Sequence, residues 1–343
     1  MKLGVLGTGS IAHTVISGVC RLEEIQCTAV AARDLERARA FAGEFGFRRA
    51  YGSYLELVED PEVELIYITT PHALHFEHMM LCLDHGKSVL CEKPFTLNAV
   101  QARLVAEKAR EKGLYAAEAI WTRYMPSRQM INRAMEDIGR PWTLSANLSY
   151  PMPNKKRIHD PALGGGALLD IGIYGLNFAM MHFGPDFARV DSSVLLTETG
   201  VDGTESLTCV YPDGRMAVLH HSVFCRSDRK GIIHGDKGYL VVENINNPQS
   251  IAVYDKDDHL LYSEEVPAQI NGYEYEFLEA AACLKAGKLE SDSMPLEETI
   301  HVMEVMDALR KTWGCATPGR NSYEDHRHCE PVQRHHRRRF CGP

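Results

Sequence analysis

Leu3-Gly4-Val5-Leu6-Gly7-Thr8-Gly9-Ser10-Ile11-Ala12 opens the chain with four apolar residues, a glycine turn and the start of an amphipathic helix that runs to about Arg21. Apolar residues followed at once by glycines and a helical period are the pattern of a buried parallel strand feeding a helix. The spacing is Gly-x-Gly-x-x-Ala, and each small residue has a reason. Gly7 permits the tight turn, Gly9 lets a pyrophosphate approach the backbone, and Ala12 lets the helix pack closely on the strand. Gly7, Thr8, Gly9, Ser10 and Ile11 are therefore expected to hold a dinucleotide.

Outward from this stretch the same alternation repeats. A second strand, Cys27 to Ala32, ends where an NAD-binding protein usually carries an acid for the ribose hydroxyls. Arg33 stands there instead, with Arg37 one turn into the next helix, and guanidinium groups suit adenine stacking and a 2′-phosphate. NADP is accordingly expected over NAD. Asp34 could approach the ribose, but its place before Leu35-Glu36-Arg37-Ala38 is also that of a helix N-cap, the reading favoured here. Helices and strands then follow in turn: Leu35 to Phe45, Tyr54 to Glu59, Leu65 to Thr69, Leu74 to Asp84, Ser88 to Cys91, Ala99 to Glu111 and a strand near Tyr115 to Ala117. Such alternation predicts a doubly wound parallel sheet, an α/β fold. Thr70, His72 and His75 fall in the loop and first turn after a strand, and with His78 they invite a metal reading. No acidic or cysteine ligand clusters beside them, so they are read as a polar wall of the cofactor cleft, with no metal.

Glu92-Lys93-Pro94 follows the strand Ser88 to Cys91, at the sheet edge where ligands bind. A lysine there can bond a ribose and a substrate hydroxyl together, and its charge can lower a neighbouring phenol's pKa. Further on, Gly164-Gly165-Gly166-Ala167-Leu168-Leu169-Asp170-Ile171-Gly172-Ile173-Tyr174 places three glycines before a helix. The glycines would let the backbone come close to something flat or charged. Asp170 and Tyr174 lie four apart, on one helical face, where a carboxylate could orient a proton-transferring phenol.

Composition narrows the partners. The chain has 343 residues, 45% of them hydrophobic, and a formal net charge of −9. That length favours two domains, and the acidic body argues against nucleic acid or an anionic membrane as partner and for a small molecule. No uncharged apolar run reaches membrane-spanning length, no signal segment opens the chain, and ten scattered cysteines read as reduced thiols. A cytoplasmic protein is expected. From Cys315 to Pro343 only seven of 29 residues are hydrophobic, while six are arginine and four histidine. This tail carries +3 and leaves −12 to the body. It is read as a disordered or non-native segment that adds nothing to activity.

Taken together, Gly7-Thr8-Gly9, Glu92-Lys93-Pro94, Glu118-Ala119-Ile120-Trp121-Thr122-Arg123-Tyr124 and the 164–174 stretch resemble the glucose-fructose oxidoreductase, inositol dehydrogenase and MocA family. The likeness covers residues 1 to 314 and leans toward the branch of dihydrodiol and D-xylose dehydrogenases. It implies a Rossmann domain, residues 1–120, and an α+β substrate and dimerisation domain, residues 121–314, built on an open, mainly antiparallel sheet. Strand-like segments from Thr143 to Glu243 and hairpin turns at Pro212-Asp213-Gly214 and Gly235 to Gly238 agree with that, and helices near 273–284 and 296–313 are expected to pack back on the first domain. By the same resemblance Lys93 and Tyr174 are catalytic with Asp170 orienting, Glu92 lies at the cofactor, and Trp121 and Arg123 line the substrate pocket. The implied activity is NADP-dependent hydride transfer at a hydroxyl or carbonyl of a sugar or cyclic trans-diol, in a homodimer or higher homo-oligomer. Two alternatives are an aldose–aldose oxidoreductase that keeps its cofactor and a non-catalytic dinucleotide sensor.

Overall fold

The computed structural model describes residues 1–315, so the expectation of a disordered tail lies, beyond Cys315, outside the described residues. The first six strands are β1 (Lys2–Leu6), β2 (Gln26–Ala31), β3 (Arg49–Tyr51), β4 (Leu65–Ile68), β5 (Ser88–Glu92) and β6 (Ala116–Ala119). They form one parallel sheet in the order β3-β2-β1-β4-β5-β6. Helices α1 (Ser10–Val19), α2 (Leu35–Phe45), α3 (Tyr54–Glu59), α4 (His75–Asp84) and α5 (Ala99–Lys112) connect them. Every residue of β4, β5 and β6 is buried, the signature of strands covered on both faces. The order reverses between β1 and β4, and such a switch point opens a crevice at the strands' carboxyl ends. Asp34 is the N-cap of α2, its Oδ1 accepting from the Glu36 amide at 3.0 Å, as favoured from sequence.

A second sheet of eight strands has the order β14-β13-β12-β11-β7-β10-β9-β8. Its members are β7 (Pro141–Ser149), β8 (Arg189–Leu196), β9 (Asp202–Val210), β10 (Met216–Ser222), β11 (Gly231–Gly235), β12 (Gly238–Val242), β13 (Ser250–Asp255) and β14 (Leu260–Glu265). All neighbours are antiparallel except β7 and β10. The sequence reading omitted β3, β13 and β14. The first is three residues long, and β14 exposes nearly every residue, so neither shows a buried alternation.

Helices α6 (Ser127–Ala134), α7 (Lys156–His159) and α8 (Ile173–Phe183) belong to the second half. α8 is buried at every position but Met181 and lies on the sheet's inner face, where Leu144, Leu148, Leu207 and Leu219 await it. Close approach is possible because Gly172 and Gly175 carry no Cβ; one on Gly175 would run into the His221 ring, and one on Gly172 into the Glu205 carboxylate. The run Pro161–Phe183 is long and apolar enough to cross a membrane by composition, but 94% of its apolar window is buried inside the protein. It is the core layer of this half.

The last two helices return to the first sheet, as expected. α9 (Glu274–Lys285) contributes Phe277, Ala280 and Cys283 to the same core as Leu3, Val5, Val30 and Tyr67. α10 (Leu296–Trp313) lies on α5, with Arg310 Nη2 donating to the Leu97 carbonyl at 2.6 Å and the Ala99 amide to Asp307 at 2.8 Å. The chain thus crosses between the two halves at Trp121 and again at Tyr273, whose rings stack at 4.0 Å with an interplanar angle of 7°.

Candidate active site

A cleft of about 890 Å³ opens at the switch point and takes its walls from both halves of the chain. On the first side lie Gly9, Ser10 and Ile11, where α1 begins without a side-chain cap. Its first amide groups are therefore free to meet an anion, with the helix dipole behind them. Gly7 sits at φ +106°, a conformation costly for other residues, and a Cβ there would press on Thr69 Oγ1. Gly9 differs: a Cβ would meet nothing closer than the Thr69 carbonyl at 4.0 Å. Packing within the chain does not demand glycine at this position, whereas a pyrophosphate drawn up to the backbone would. Arg33 and Arg37 both stand exposed beyond the end of β2, and Arg37 Nη2 reaches back to the Thr8 carbonyl at 3.2 Å. Neither has a carboxylate partner among the described residues. Uncapped helix end, open glycine and two unpaired cations fit a dinucleotide.

Facing the same cleft, Lys93 and Tyr174 meet from opposite sheets. Lys93 stands just past β5, before a cis bond to Pro94, and its Nζ lies 5.0 Å from the centre of the Tyr174 ring. The ammonium donates to the Asp170 carbonyl at 2.5 Å and to Asp170 Oδ1 at 3.2 Å. Arg157, a residue that the sequence reading passed over, donates from Nη2 to the same Oδ1 at 3.0 Å and from Nη1 to His72 Nε2 at 3.0 Å. His72 in turn meets the Gly164 carbonyl at 3.2 Å. Burial alone would raise the Asp170 carboxyl, but Lys93 and Arg157 outweigh it and hold the group well below the usual carboxylate range. Burial pushes the His72 imidazole well down, and Arg157 adds to this, leaving the ring neutral. One carboxylate and two cations leave a net positive charge beside the phenol.

This geometry corrects the expectation that Asp170 orients Tyr174. A π turn, Leu168–Gly172, precedes α8 and breaks the regular four-residue stacking, so the carboxylate serves Lys93 and Arg157 instead. Nor is the phenol's pKa lowered. Burial, with Tyr273, Glu92 and Asp170, raises it well above 10, and the Trp121 indole N–H opposes this without reaching full hydrogen-bond geometry. The protonated phenol is the resting form, a proton donor. The three glycines also have a different task. A Cβ on Gly165 would strike the carbonyls of Arg157, Ile158 and Asp160, one on Gly164 the Leu97 side chain and one on Gly166 the Asp202 carboxylate, so the glycines bring elements of the chain itself, α7 among them, against the helix entry.

The remaining expected residues divide. Thr70, His72, His75 and Glu92 line the cleft. His75 is locked between the Thr70 and Pro94 carbonyls, each at 2.8 Å, joining the two cofactor-side loops. Burial lifts the Glu92 carboxyl to about 7, against its bond from the Tyr67 hydroxyl. Arg123 does not reach the cleft: its side chain is fully buried against Glu298 and Asn177, a structural pair. Trp121 also stands back from the cleft, behind Tyr273, which takes the wall position itself. The resemblance implied that both line the substrate pocket; burial assigns them to the joint between the halves. Tyr273 and Tyr150, which do line the cleft, lie outside the helices and strands, and Arg157 lies in the four-residue α7, none of them in a motif.

A Rossmann half, a second sheet over the crevice, and a lysine and a tyrosine facing each other define a nucleotide-dependent oxidoreductase. Comparison with known proteins narrows the class. Residues 1–119 match the oxidoreductase family with NAD-binding Rossmann fold, and residues 128–241 the GFO/IDH/MocA C-terminal domain. The chain is 34% identical over 334 residues to the trans-1,2-dihydrobenzene-1,2-diol dehydrogenase of Mus musculus, covering 93% of this chain and 98% of that one. The enzyme of the same name from Homo sapiens is 35% identical over 332 residues, with the same coverages. Among solved structures, the 3-ketoreductase KijD10 of Actinomadura kijaniata, in complex with NADP and TDP-benzene, superposes with a TM-score of 0.82 at 24% identity, covering 91% of this chain and 97% of that one. An aldose-aldose oxidoreductase of Caulobacter crescentus, complexed with glycerol, gives 0.81 at 18%, with coverages of 92% and 97%. The chain belongs to the GFO/IDH/MocA oxidoreductase family. It is an NAD(P)-dependent dehydrogenase acting on CH–OH groups.

Proposed function

We propose that this dehydrogenase uses NADP and acts on a sugar or a cyclic trans-diol, with Tyr174 as the acid and base and Lys93 beside it. The observation that carries this is the meeting of Lys93 and Tyr174 over one cleft, with Lys93 fixed by Asp170. NADP is favoured because Arg33 and Arg37 have no carboxylate partner among the described residues where the adenosine ribose would lie, while Asp34 is used as a cap. When bound, the nicotinamide supplies or accepts the hydride.

The chain's own residues then handle the proton. In the reducing direction the protonated Tyr174 donates to the developing alkoxide; in the oxidising direction the phenol first gives up its own proton, and the phenolate then takes that of the substrate hydroxyl. Lys93, held by Asp170, places a positive charge beside that oxygen and stabilises its negative form in either direction. Arg157 fixes Asp170 from the other side, so the ammonium keeps one position. The names of the mammalian relatives support a trans-diol; of the two structural neighbours, the one from Caulobacter crescentus is named for aldoses. A cytoplasmic setting is part of the reading, in keeping with the free thiols among the described residues.

Turnover of a panel of aldoses and cyclic trans-diols with NADP and with NAD, followed at the nicotinamide absorbance, tests this. The expected result is a kcat/KM at least ~10-fold higher with NADP, narrowed by Arg33→Ala, as befits a charge-assisted phosphate contact. More efficient turnover with NAD would overturn the NADP assignment.

A further inference from the structure

Two cations on the second half's wall of the cleft have no role in the reading so far. Strands β7 and β10 run parallel, and their extensions stay paired: the Tyr150 amide donates to the Ser222 carbonyl at 3.1 Å and the Met152 amide to the Val223 carbonyl at 2.8 Å. Lys155 and Arg226 each follow three residues after the Met152–Val223 pair, and both line the cleft. Neither side chain has an ion pair or hydrogen bond among the described residues. The two carboxylates on the lining are already engaged, Asp170 by Lys93 and Arg157, Glu92 by the Tyr67 hydroxyl.

The cleft is therefore positive within a chain whose net charge is −9. Exposure rises outward, from Lys93 at 13% and Arg157 at 31% to the exposed Lys155 and Arg226. A concave wall of one sign focuses the field on an incoming ion of the other. On the same lining Asn246 carries a buried side-chain oxygen without a partner among the described residues, a ready acceptor for a hydroxyl. A neutral diol would use the acceptor but leave both outer cations idle.

We propose that the substrate is a hydroxylated molecule carrying an anionic group, a carboxylate or a phosphate ester, held by Lys155 and Arg226 while its reacting hydroxyl reaches Lys93 and Tyr174. This rests on the cleft being the dehydrogenase site proposed above. Two exposed charge contacts support roughly ten-fold selectivity, which salt should weaken.

The test uses the full chain with bound NADP and three probes: an aldose, its uronic acid and its terminal phosphate ester. The uronic acid or the phosphate ester is expected to show about ten-fold higher kcat/KM than the aldose at low salt. In K155A/R226A this ratio should fall to near one, and which anion is preferred tells carboxylate from phosphate. Equal use of all three probes by the unaltered protein would overturn the proposal. So would a loss of NADP affinity in K155A/R226A with the ratio unchanged, which would assign the cations to the cofactor. Calorimetric binding of the same probes separates the two readings: anion preference in binding, lost in K155A/R226A, without turnover of any probe, would uphold the anion subsite and sink the dehydrogenase substrate assignment.

Discussion

Tyr174 has its phenol protonated and buried, with Lys93 beside the ring and not at the hydroxyl. Replacing it with phenylalanine removes only the proton-carrying oxygen, so Tyr174→Phe should cut kcat by ~10²-fold or more while the fluorescence-monitored Kd for NADP stays put. Unchanged turnover would end the assignment. Arg157 acts one step removed. With Arg157→Met a single cation is left to hold Asp170 ionised, so its pKa should rise toward the ordinary range. The acid limb of the kcat profile should then move to higher pH; an unmoved limb would mean that Arg157 only fills space. Lys93, Asp170 and Tyr174 were legible because each stands in a short motif at a predictable point of the fold. Arg157 was not, since its role depends on where the short helix α7 is folded back by the irregular segments around it, and local sequence does not encode that.

The π turn Leu168–Gly172 shows the same limit in a regular element. The residues read as one helix, and the four-residue spacing of Asp170 and Tyr174 was sound as a pattern, but one wider turn changed which partners they met. Beneath it, Gly175 packs on the buried His221 ring, so Gly175→Ala should cost about 1–3 kcal/mol in urea unfolding through overpacking. Strand β6 carries Glu118, whose carboxyl burial lifts to about 7 although it accepts from the Phe95 amide at 2.9 Å. A carboxyl whose folded pKa is raised contributes stability below about 4.5 and loses it as pH climbs through about 7. Glu118→Gln lacks that loss. Its stability relative to the parent chain should therefore improve between pH 5 and 8, by up to about 3 kcal/mol at ~1.4 kcal/mol per pH unit; a flat difference would place the ionisation elsewhere.

For the whole molecule, the parallel sheet was legible from the alternation of strands and helices, whereas the arrangement of the second sheet followed from the resemblance, with periodicity marking six of its eight strands. The open sheet's outer face remains. Met216 and Val218 on β10 and Leu195 on β8 point outward and are exposed, and on the same face, beyond β7 and β11, the Tyr239 and Tyr254 rings stack across β12 and β13. An apolar sheet face of this kind is a surface for self-association, and a homodimer through it is proposed. Light scattering should give twice the chain mass, falling to the monomer in V218E; a parent chain that runs as a monomer would defeat this. The return of α9 to the first sheet bears on how the protein is made. Leu3, Val5 and Val30 precede the whole second sheet in the chain, yet Phe277 and Ala280, which close over them, follow it. The nucleotide-binding half must wait, with an apolar face uncovered, while the entire second sheet is translated. A truncated chain ending at Ile120 should consequently aggregate instead of binding a nucleotide, although the glycine motif and all six parallel strands are complete within it.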